Sequence, residues 1–508
     1  MTVRRTASAV AMALGLTAAS FAPALASDDM FVVAINHQPD TLDPTISVNT
    51  VISRPVLENI IEPMVGLDAQ GNLVPGVLSF EYSDEGRILT LRVREGVTFH
   101  SGDPLTADDI IFSHERTAER SRIYQSRLRN FDHIERVDDM TVRMVFSSAD
   151  VTFLPPRNLS IVSKAYYDRV GEDEFVSHPN GTGPYRFVSY TPAQEMILEA
   201  NPDYWGGEPD VKHLRFVFAG EDSTRVAMLR AGEADLILNV PFMERDRLEA
   251  DGFTTAQIAV TPTVSVQFTL NNPDVPWHDV RVRLAVAHAI DADGIVEGLF
   301  HGVPGRHPRF APGEVGYDET LENYSYDPAL ARQLLADAGY PNGFDMPLIW
   351  WHGENSGLRE TAEAVALYLQ QVGINTQVSS LDVPDFVGRL RAATANPTTE
   401  DWVGITPTPM AEYFDPTIAL AFTYWSASPF SQYRNEAFDA LVAQAVQTVD
   451  PEVRGPLVVE ATRILHDDVP QISLWNNMAV YAMRDGVHYN PPPRHLVRAM
   501  ISEVTLDD

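Results

Sequence analysis

The sequence predicts an α/β protein built of two or three lobes, and three observations carry that class. Short stretches in which apolar and polar residues alternate with period two recur between longer stretches bounded by helix start and stop signals. The chain has 508 residues, and what remains after an N-terminal leader is too long for one compact core. The apolar content is 44%, an ordinary globular value, so the length is not spent on extended disorder.

The elements follow in chain order. Arg4 and Arg5 precede a charge-free stretch from Thr6 to Ser27 that closes on Ala24-Leu25-Ala26, the small-x-small pattern cut by signal peptidases. This stretch, broken by Ala, Gly and Ser, is too short for a permanent membrane anchor. Residues 1–26 are therefore read as a signal peptide. Ile88 to Val93 and Thr141 to Phe146 alternate as half-buried strands, the first entered through a turn at Asp84-Glu85-Gly86. Thr106-Ala107-Asp108-Asp109 reads as a capping box ahead of a helix from Ile110 to Ala118. Tyr185 to Tyr190 with Met196 to Leu198 reads as a hairpin, and Leu214, Phe216 and Phe218 as a further strand. Val280 to Ile290 is apolar nearly all round and predicts a buried helix. Asp327-Pro328 opens a helix that Gly339 stops, Leu358 to Val372 is another stopped by Gly373, and Asp450-Pro451 opens one that ends before Pro470.

Composition excludes several function classes. The formal net charge is −33, and loss of Arg4 and Arg5 with the leader lowers it by two to −35. So acidic a body repels nucleic acid and anionic lipid, so no nucleic-acid partner and no membrane insertion are expected. No cysteine occurs, which removes disulfides, thiolate metal sites, a cysteine nucleophile and a lipid-bearing cysteine after the leader. A soluble, unanchored, monomeric protein of a Gram-negative periplasm is the resulting expectation.

Catalytic constellations are missing. There is no G-x-S-x-G elbow, no H-E-x-x-H and no P-loop, so neither catalytic residues nor a cofactor are expected, and the chain is not read as an enzyme. Gly181-Thr182-Gly183-Pro184 places proline where a phosphate loop needs a donor and is read as a structural turn. His301 and His307 flank Arg306, which would repel a cation, so no metal site is assigned. Asp108-Asp109 suits a helix start, whereas Asp467-Asp468 stands at a helix end and is read as solvated. Trp350-Trp351, Trp402, Tyr424-Trp425 and Trp475 gather in the second half, where rigid aromatic surface serves either core or ligand pocket.

A family resemblance emerges from a series of blocks. Leu42-Asp43-Pro44, Val74-Pro75-Gly76-Val77, the run from Leu91 to Gly102 and Pro104 to Asp109 come first. Gly181 to Tyr185, Asn201-Pro202-Asp203-Tyr204-Trp205, Asp279 to Asp291 and Ala338-Gly339-Tyr340 follow in the same order. Together they resemble the extracytoplasmic solute-binding proteins of family 5, receptors for ABC importers of peptides and nickel. The resemblance covers the chain after the leader to about residue 375. It implies a two-lobed periplasmic-binding-protein fold with an extra subdomain inserted in the first lobe, the cluster C type. The boundaries it implies are residues 27–270 for the first lobe, with the subdomain at about 46–180, residues 271–480 for the second, and 481–508 for a return to the first. Crossovers are expected near Leu270-Asn271-Asn272 and Met478 to Met483.

The implied function is capture of a small ligand, a peptide or peptide-like compound, in an interlobe cleft and delivery to the permease subunits of an ABC importer. The implied ligand-binding residues are His37 and Gln38 after the first strand, Tyr124 in the inserted subdomain, and Trp350, Arg359, Trp402 and Tyr424 in the second lobe. Arg359 matches an arginine that in dipeptide-binding members grips a ligand carboxylate, the alternative being a salt bridge at a helix start. One departure concerns the ligand directly. Peptide-binding members anchor the ligand amine on an aspartate three residues after a tryptophan, and the matching segment here is Trp402-Val403-Gly404-Ile405. Glu412, Asp415 or Asp401 is then the candidate for a relocated carboxylate, and an opine, an oligosaccharide or a metal chelate stands as the alternative ligand. A periplasmic chaperone and a secreted hydrolase are the readings of other classes.

Overall fold

A computed structural model describes residues 30–46, 50–68, 73–153, 159–302, 305–310, 314–351, 357–396, 402–408, 415–490 and 499–507. The leader and the candidates Asp401 and Glu412 lie outside them. The chain opens with β1 (Met30–Ile35) and then leaves its sheet. It forms a hairpin of β2 (Val65–Leu67) and β3 (Leu73–Pro75), and an antiparallel sheet of β4 (Leu78–Ser83), β5 (Ile88–Val93), β6 (Phe131–Asp138) and β7 (Thr141–Phe146) in the order β4-β5-β7-β6. The alternation read at residues 88–93 and 141–146 becomes β5 and β7, whose inward residues Leu89, Leu91, Val142 and Met144 are fully buried. Helix Ala107–Arg120 covers that sheet. The Asp109 carboxylate accepts both the backbone N–H and the hydroxyl of Thr106 at 2.8 Å, and through its other oxygen the backbone N–H of Lys164 at 2.9 Å. These elements enclose a core of their own running from Met64 to Ile161.

The main sheet then resumes with the hairpin β8 (Tyr185–Thr191) and β9 (Glu195–Ala200), followed by β10 (His213–Phe218), β11 (Leu236–Ile237) and the long β12 (Thr254–Phe268). After a helical stretch come β13 (Phe344–Trp351), β14 (Ile374–Leu381), β15 (Val403–Thr408) and the long β16 (Gln471–Met483). Short strands β17 (Val487–His488) and β18 (Thr505–Leu506) pair with each other at the end. The ten-stranded order is β14-β13-β15-β12-β16-β11-β1-β10-β9-β8. The predicted helices run over Val280–Ala289, Pro328–Asp337, Leu358–Gln371 and Pro451–Asp468. Asp327 and Asp450 accept backbone N–H groups of the turns they open, as side chains at a helix start do.

Strand direction divides this sheet into two groups. β1, β10 and β11 are parallel, and β11 is antiparallel to β16. β13, β14 and β15 are also parallel, but β15 is antiparallel to β12 and β12 to β16, so β15 runs with β16. The two parallel groups therefore run head-on toward the middle of the β12–β16 ribbon. Val240 beyond β11 donates to Val480 at 2.9 Å, while Thr408 at the end of β15 stands in register with Thr263 and through it with Asn476. Between those points the ribbon register breaks: Ala259 pairs with Met478 and Thr263 with Asn476, so β12 carries extra residues there. Such a bulge bends and twists a strand. β12 and β16 are the strands that link the two groups, β16 pairing with β11 and β12 with β15. Asn271, near the expected first crossover, bonds to Ala393, Ser431 and Gln432 inside the second lobe.

One core runs along a face of the sheet from β14 to β1, taking in Leu229, Phe242, Val286, Leu369 and Ile405. Another takes in Tyr481, Tyr489, Ile501 and Val504 together with Val33, Leu198, Phe216 and Leu236, so the C-terminal segment packs with the strands around β1.

Candidate functional site

In open parallel sheets ligands bind beyond the carboxyl ends of the strands, and here two such sets of ends face each other across the bulged ribbon. On the first lobe these ends carry Asn36 after β1, Ala219 and Gly220 after β10, and Leu238 and Asn239 after β11. A single buried guanidinium ties them together. Arg225 is 1% exposed and donates from Nε to the Leu238 carbonyl (3.1 Å), from Nη1 to Ala219 (2.8 Å) and Gly220 (3.0 Å), and from Nη2 to Asn239 (2.9 Å) and the Asp222 carboxylate. Carbonyls at strand ends have no ladder partner, and a planar five-donor group satisfies several at once. The Asn239 amide, on a residue held at φ 55°, then donates to the Asn36 side chain at 2.8 Å. Neither Arg225 nor this asparagine pair was singled out from sequence. The available signal was an arginine beside Val226 on the inward face of an otherwise amphipathic helix, Asp222–Ala231.

The sequence-predicted residues divide. Asn36, His37 and Gln38 follow β1 directly. His37 is half-buried, and the exposed Gln38 accepts from the Tyr190 hydroxyl (2.9 Å) and the Ala193 backbone (2.6 Å), which joins it to the β8–β9 hairpin. Trp350, the penultimate residue of β13, stands in register with Ile405 of β15, half-buried at the rim of the first core. Ile405 is fully buried, so an apolar side chain packed into the lobe occupies the position matched to the amine-anchoring aspartate. Trp402, 2% exposed, lies just before β15 in a small core with Ile349 and Phe386, its ring 5.3 Å from that of Phe386, and its buried indole N–H has no acceptor among the described residues.

Arg359 sits at the start of helix Leu358–Gln371 with its side chain 67% exposed, and its Nε donates to Glu363 one turn on at 2.9 Å. That is the salt-bridge alternative, not a pre-formed grip.

Two further expected site residues are, like Trp402, core residues. Tyr124 is 2% exposed among Phe153, Phe131 and Phe146, and its hydroxyl lies 2.8 Å from His114 Nδ1. Tyr424, 3% exposed, packs edge-on against Tyr433 and Phe438, and its hydroxyl accepts from Arg309 at 3.0 Å. Each large ring fills a helix-covered interior, and its hydroxyl finds a partner there rather than in a cleft. Asp415 is likewise engaged: it accepts from the Thr417 backbone and forms an ion pair with Arg454. Asp468, expected to be solvated, instead accepts from Tyr433 and Asn435, and its carbonyl takes two bonds from the buried Arg283.

The Gly181–Pro184 loop is a structural joint. Gly183 donates to the Ile60 carbonyl and Tyr185 to that of Asn59, both at 2.9 Å, while His100 Nε2 reaches the Gly183 carbonyl at 2.9 Å. Beside it a cavity of about 430 Å³ is lined by Glu62, Tyr204, Trp205 and Met500. Burial pushes the Glu62 carboxyl above its ordinary pKa, and its oxygens accept from Thr182, Tyr204 and Trp205, so its capacity is spent on the fold. Among the described residues no group of three or more His, Asp or Glu side chains is placed to hold a metal ion, and no helix is long and apolar enough to cross a membrane.

Comparison with known proteins adds a family. The profile of the bacterial extracellular solute-binding proteins, family 5 Middle, matches residues 72–417, and the chain belongs to that family. It is 29% identical over 427 residues to the heme-binding protein A of Haemophilus influenzae, covering 78% of this chain and 77% of that one. It is 26% identical over 487 residues to the glutathione-binding protein GsiB of Escherichia coli O1:K1, covering 91% and 92%. Among solved structures, the periplasmic binding protein DppA from Helicobacter pylori in complex with the peptide STSA superposes with a TM-score of 0.79 at 24% identity, over 94% of this chain and 98% of that one. The two-lobed α/β architecture is thus that of the family.

Proposed function

We propose that this family 5 solute-binding protein is an exported, monomeric receptor that captures a peptide-like solute between its lobes and passes it to the permease of an ABC importer. The observation that carries the reading is the meeting of two sets of strand carboxyl ends at a bulged two-strand ribbon. It gives a ligand two walls from different lobes and a flexible connection between them. A ligand that touches both walls favours the closed form by its differential affinity, and closure creates the joint surface a permease reads. The leader and the absence of any cysteine support a periplasmic location.

The ligand class follows from both similarity and difference. Relatives named for glutathione and heme, and a fold neighbour holding a tetrapeptide, support a peptide-like compound. Ile405 in place of the amine anchor disfavours ordinary short peptides with a free α-amine, because a charge-assisted bond worth roughly 1.5–3 kcal/mol is missing. His37, Gln38, Trp350 and Trp402 are the proposed ligand-facing residues, with Arg359 available to a carboxylate once it leaves Glu363. A thermal-shift panel on the mature protein tests this, with glutathione, di- to pentapeptides, opines, hemin, nickel–histidine and oligosaccharides as probes. Stabilisation by a γ-linked or modified peptide and not by plain dipeptides supports the reading. Stabilisation by an oligosaccharide alone overturns it, and turnover of any probe overturns the receptor assignment.

A further inference from the structure

The lobes meet a second time, away from the ribbon, where no chain crosses. The inserted subdomain and the helical part of the second lobe touch through residues that none of the ligand arguments use. The Val151 backbone N–H donates to the Val446 carbonyl at 2.9 Å. The Arg129 guanidinium lies over the Trp425 ring, 4.9 Å from its centroid, and Arg129 Nε stands 3.5 Å from the buried Asp150 carboxylate. Gly86, at φ 87°, faces Val449 so closely that a Cβ there would fall 2.5 Å from Cγ2 of that valine. Asp150 holds this edge in shape by accepting from the Thr152 backbone at 3.0 Å. On the other side Arg454, 6% exposed, donates to the Thr448 and Val449 carbonyls at 2.6 and 2.8 Å and so fixes the loop that Gly86 meets.

We propose that this junction is a latch: the Arg129–Trp425 stack and the Val151–Val446 bond stabilise the closed receptor and set its apparent affinity without touching the ligand. Each half is anchored in its own core, Phe153 two residues after Val151 on one side and Val446 itself with Val442 and Phe438 on the other, so the contact is made or broken as a unit when the lobes rotate. The contact is small and partly solvated, as a reversible latch requires. Arg129 keeps a third of its side-chain surface exposed. A cation over an aromatic face and one backbone bond together shift an equilibrium by about tenfold, and a receptor binds in proportion to its closed fraction.

The chain has no cysteine, so a Val151→Cys/Val446→Cys pair reports this contact against a silent background. A direct backbone hydrogen bond brings the two main chains together, and a disulfide spans Cα separations of about 4.4–6.8 Å. Oxidation of the full-length mature protein without added ligand should form an intramolecular disulfide, read by mass spectrometry. Adding Trp425→Ala or Arg129→Gln should slow its formation about fivefold or more, and small-angle scattering of the single variants without the cysteines should show a larger radius of gyration. Arg129→Gln is the safeguard if Trp425→Ala fails to fold. Two free cysteines that react with maleimide but never cross-link would overturn the contact itself. A cross-linking rate unchanged by both variants would overturn its role in closure.

Discussion

Replacing Arg225 should loosen the first wall of the cleft at a cost that the geometry bounds. Its guanidinium donates to the carbonyls of Ala219, Gly220, Leu238 and Asn239 and to Asp222, and the residue is 1% exposed. Arg225→Met keeps the apolar stem and removes every donor. Bonds from a charged group are worth about 1.5–3 kcal/mol each, but the losses do not add, because strand ends facing a cleft are partly rehydrated. The expected loss is therefore that of removing one partner from a buried charged set, about 3–5 kcal/mol, a large share of a typical 5–15 kcal/mol. Arg225→Lys, with one compact ammonium for a forked group, should lose about half as much. Urea unfolding measures the loss as a lowered midpoint at constant slope. Hydrogen exchange locates it: amides of Ala219 to Asp222 and Leu238 to Val240 should exchange faster, while those of β13 and β14 should not change. A loss under about 1 kcal/mol with unchanged exchange at those amides would refute the clamp and leave the strand ends held by other means.

The other predictions follow from separate sites. Gly181→Ala places a Cβ 2.0 Å from the Ile60 carbonyl oxygen and should cost about 2–4 kcal/mol through strain and lost backbone bonds, whereas Gly298→Ala, with nothing within 4 Å, should be neutral or stabilising; comparative melting checks both. Burial pushes His100 down to about 4 from 6.5. As pH falls from about 6.5 the unfolded chain takes a proton that the folded imidazole refuses, so stability declines down to about pH 4, by roughly 3 kcal/mol for this group. A pH series of unfolding free energies should be shallower in His100→Gln, and an imidazole NMR signal titrating near 6.5 in the folded protein would contradict the argument. Trp402→Ala should weaken a ligand identified by screening by at least about 1 kcal/mol in calorimetry, and unaltered affinity would remove Trp402 from the site.

Much of the fold was legible because its signals are local. Asp327-Pro328, Asp450-Pro451 and Gly339 act on backbone groups within a turn of themselves, and the helices they bound stand where expected. The alternation at Ile88–Val93 needs only one apolar neighbour on one face, and β5 has it. The site was less legible. An aromatic ring carries the same pattern whether it lines a core or a cleft, so Tyr124 and Tyr424 read as ligand contacts until their hydroxyls were seen bonded to His114 and Arg309. Asp468 read as solvated because its partners Tyr433, Asn435 and Arg283 lie far off in sequence.

The sequence by itself determined the family, the class of fold, and the caps and turns, since each is written in contiguous residues or in the order of short blocks. Tertiary structure alone decided which strands meet head-on at the β12–β16 ribbon, which arginine holds the strand ends together and which distant segments touch, as Val151 touches Val446. Those features depend on the direction of strands paired across more than two hundred residues, as Thr254 is with Met483, and on a guanidinium reaching carbonyls from two strand ends at once. Pairing direction and three-dimensional reach leave no periodic trace in a linear chain.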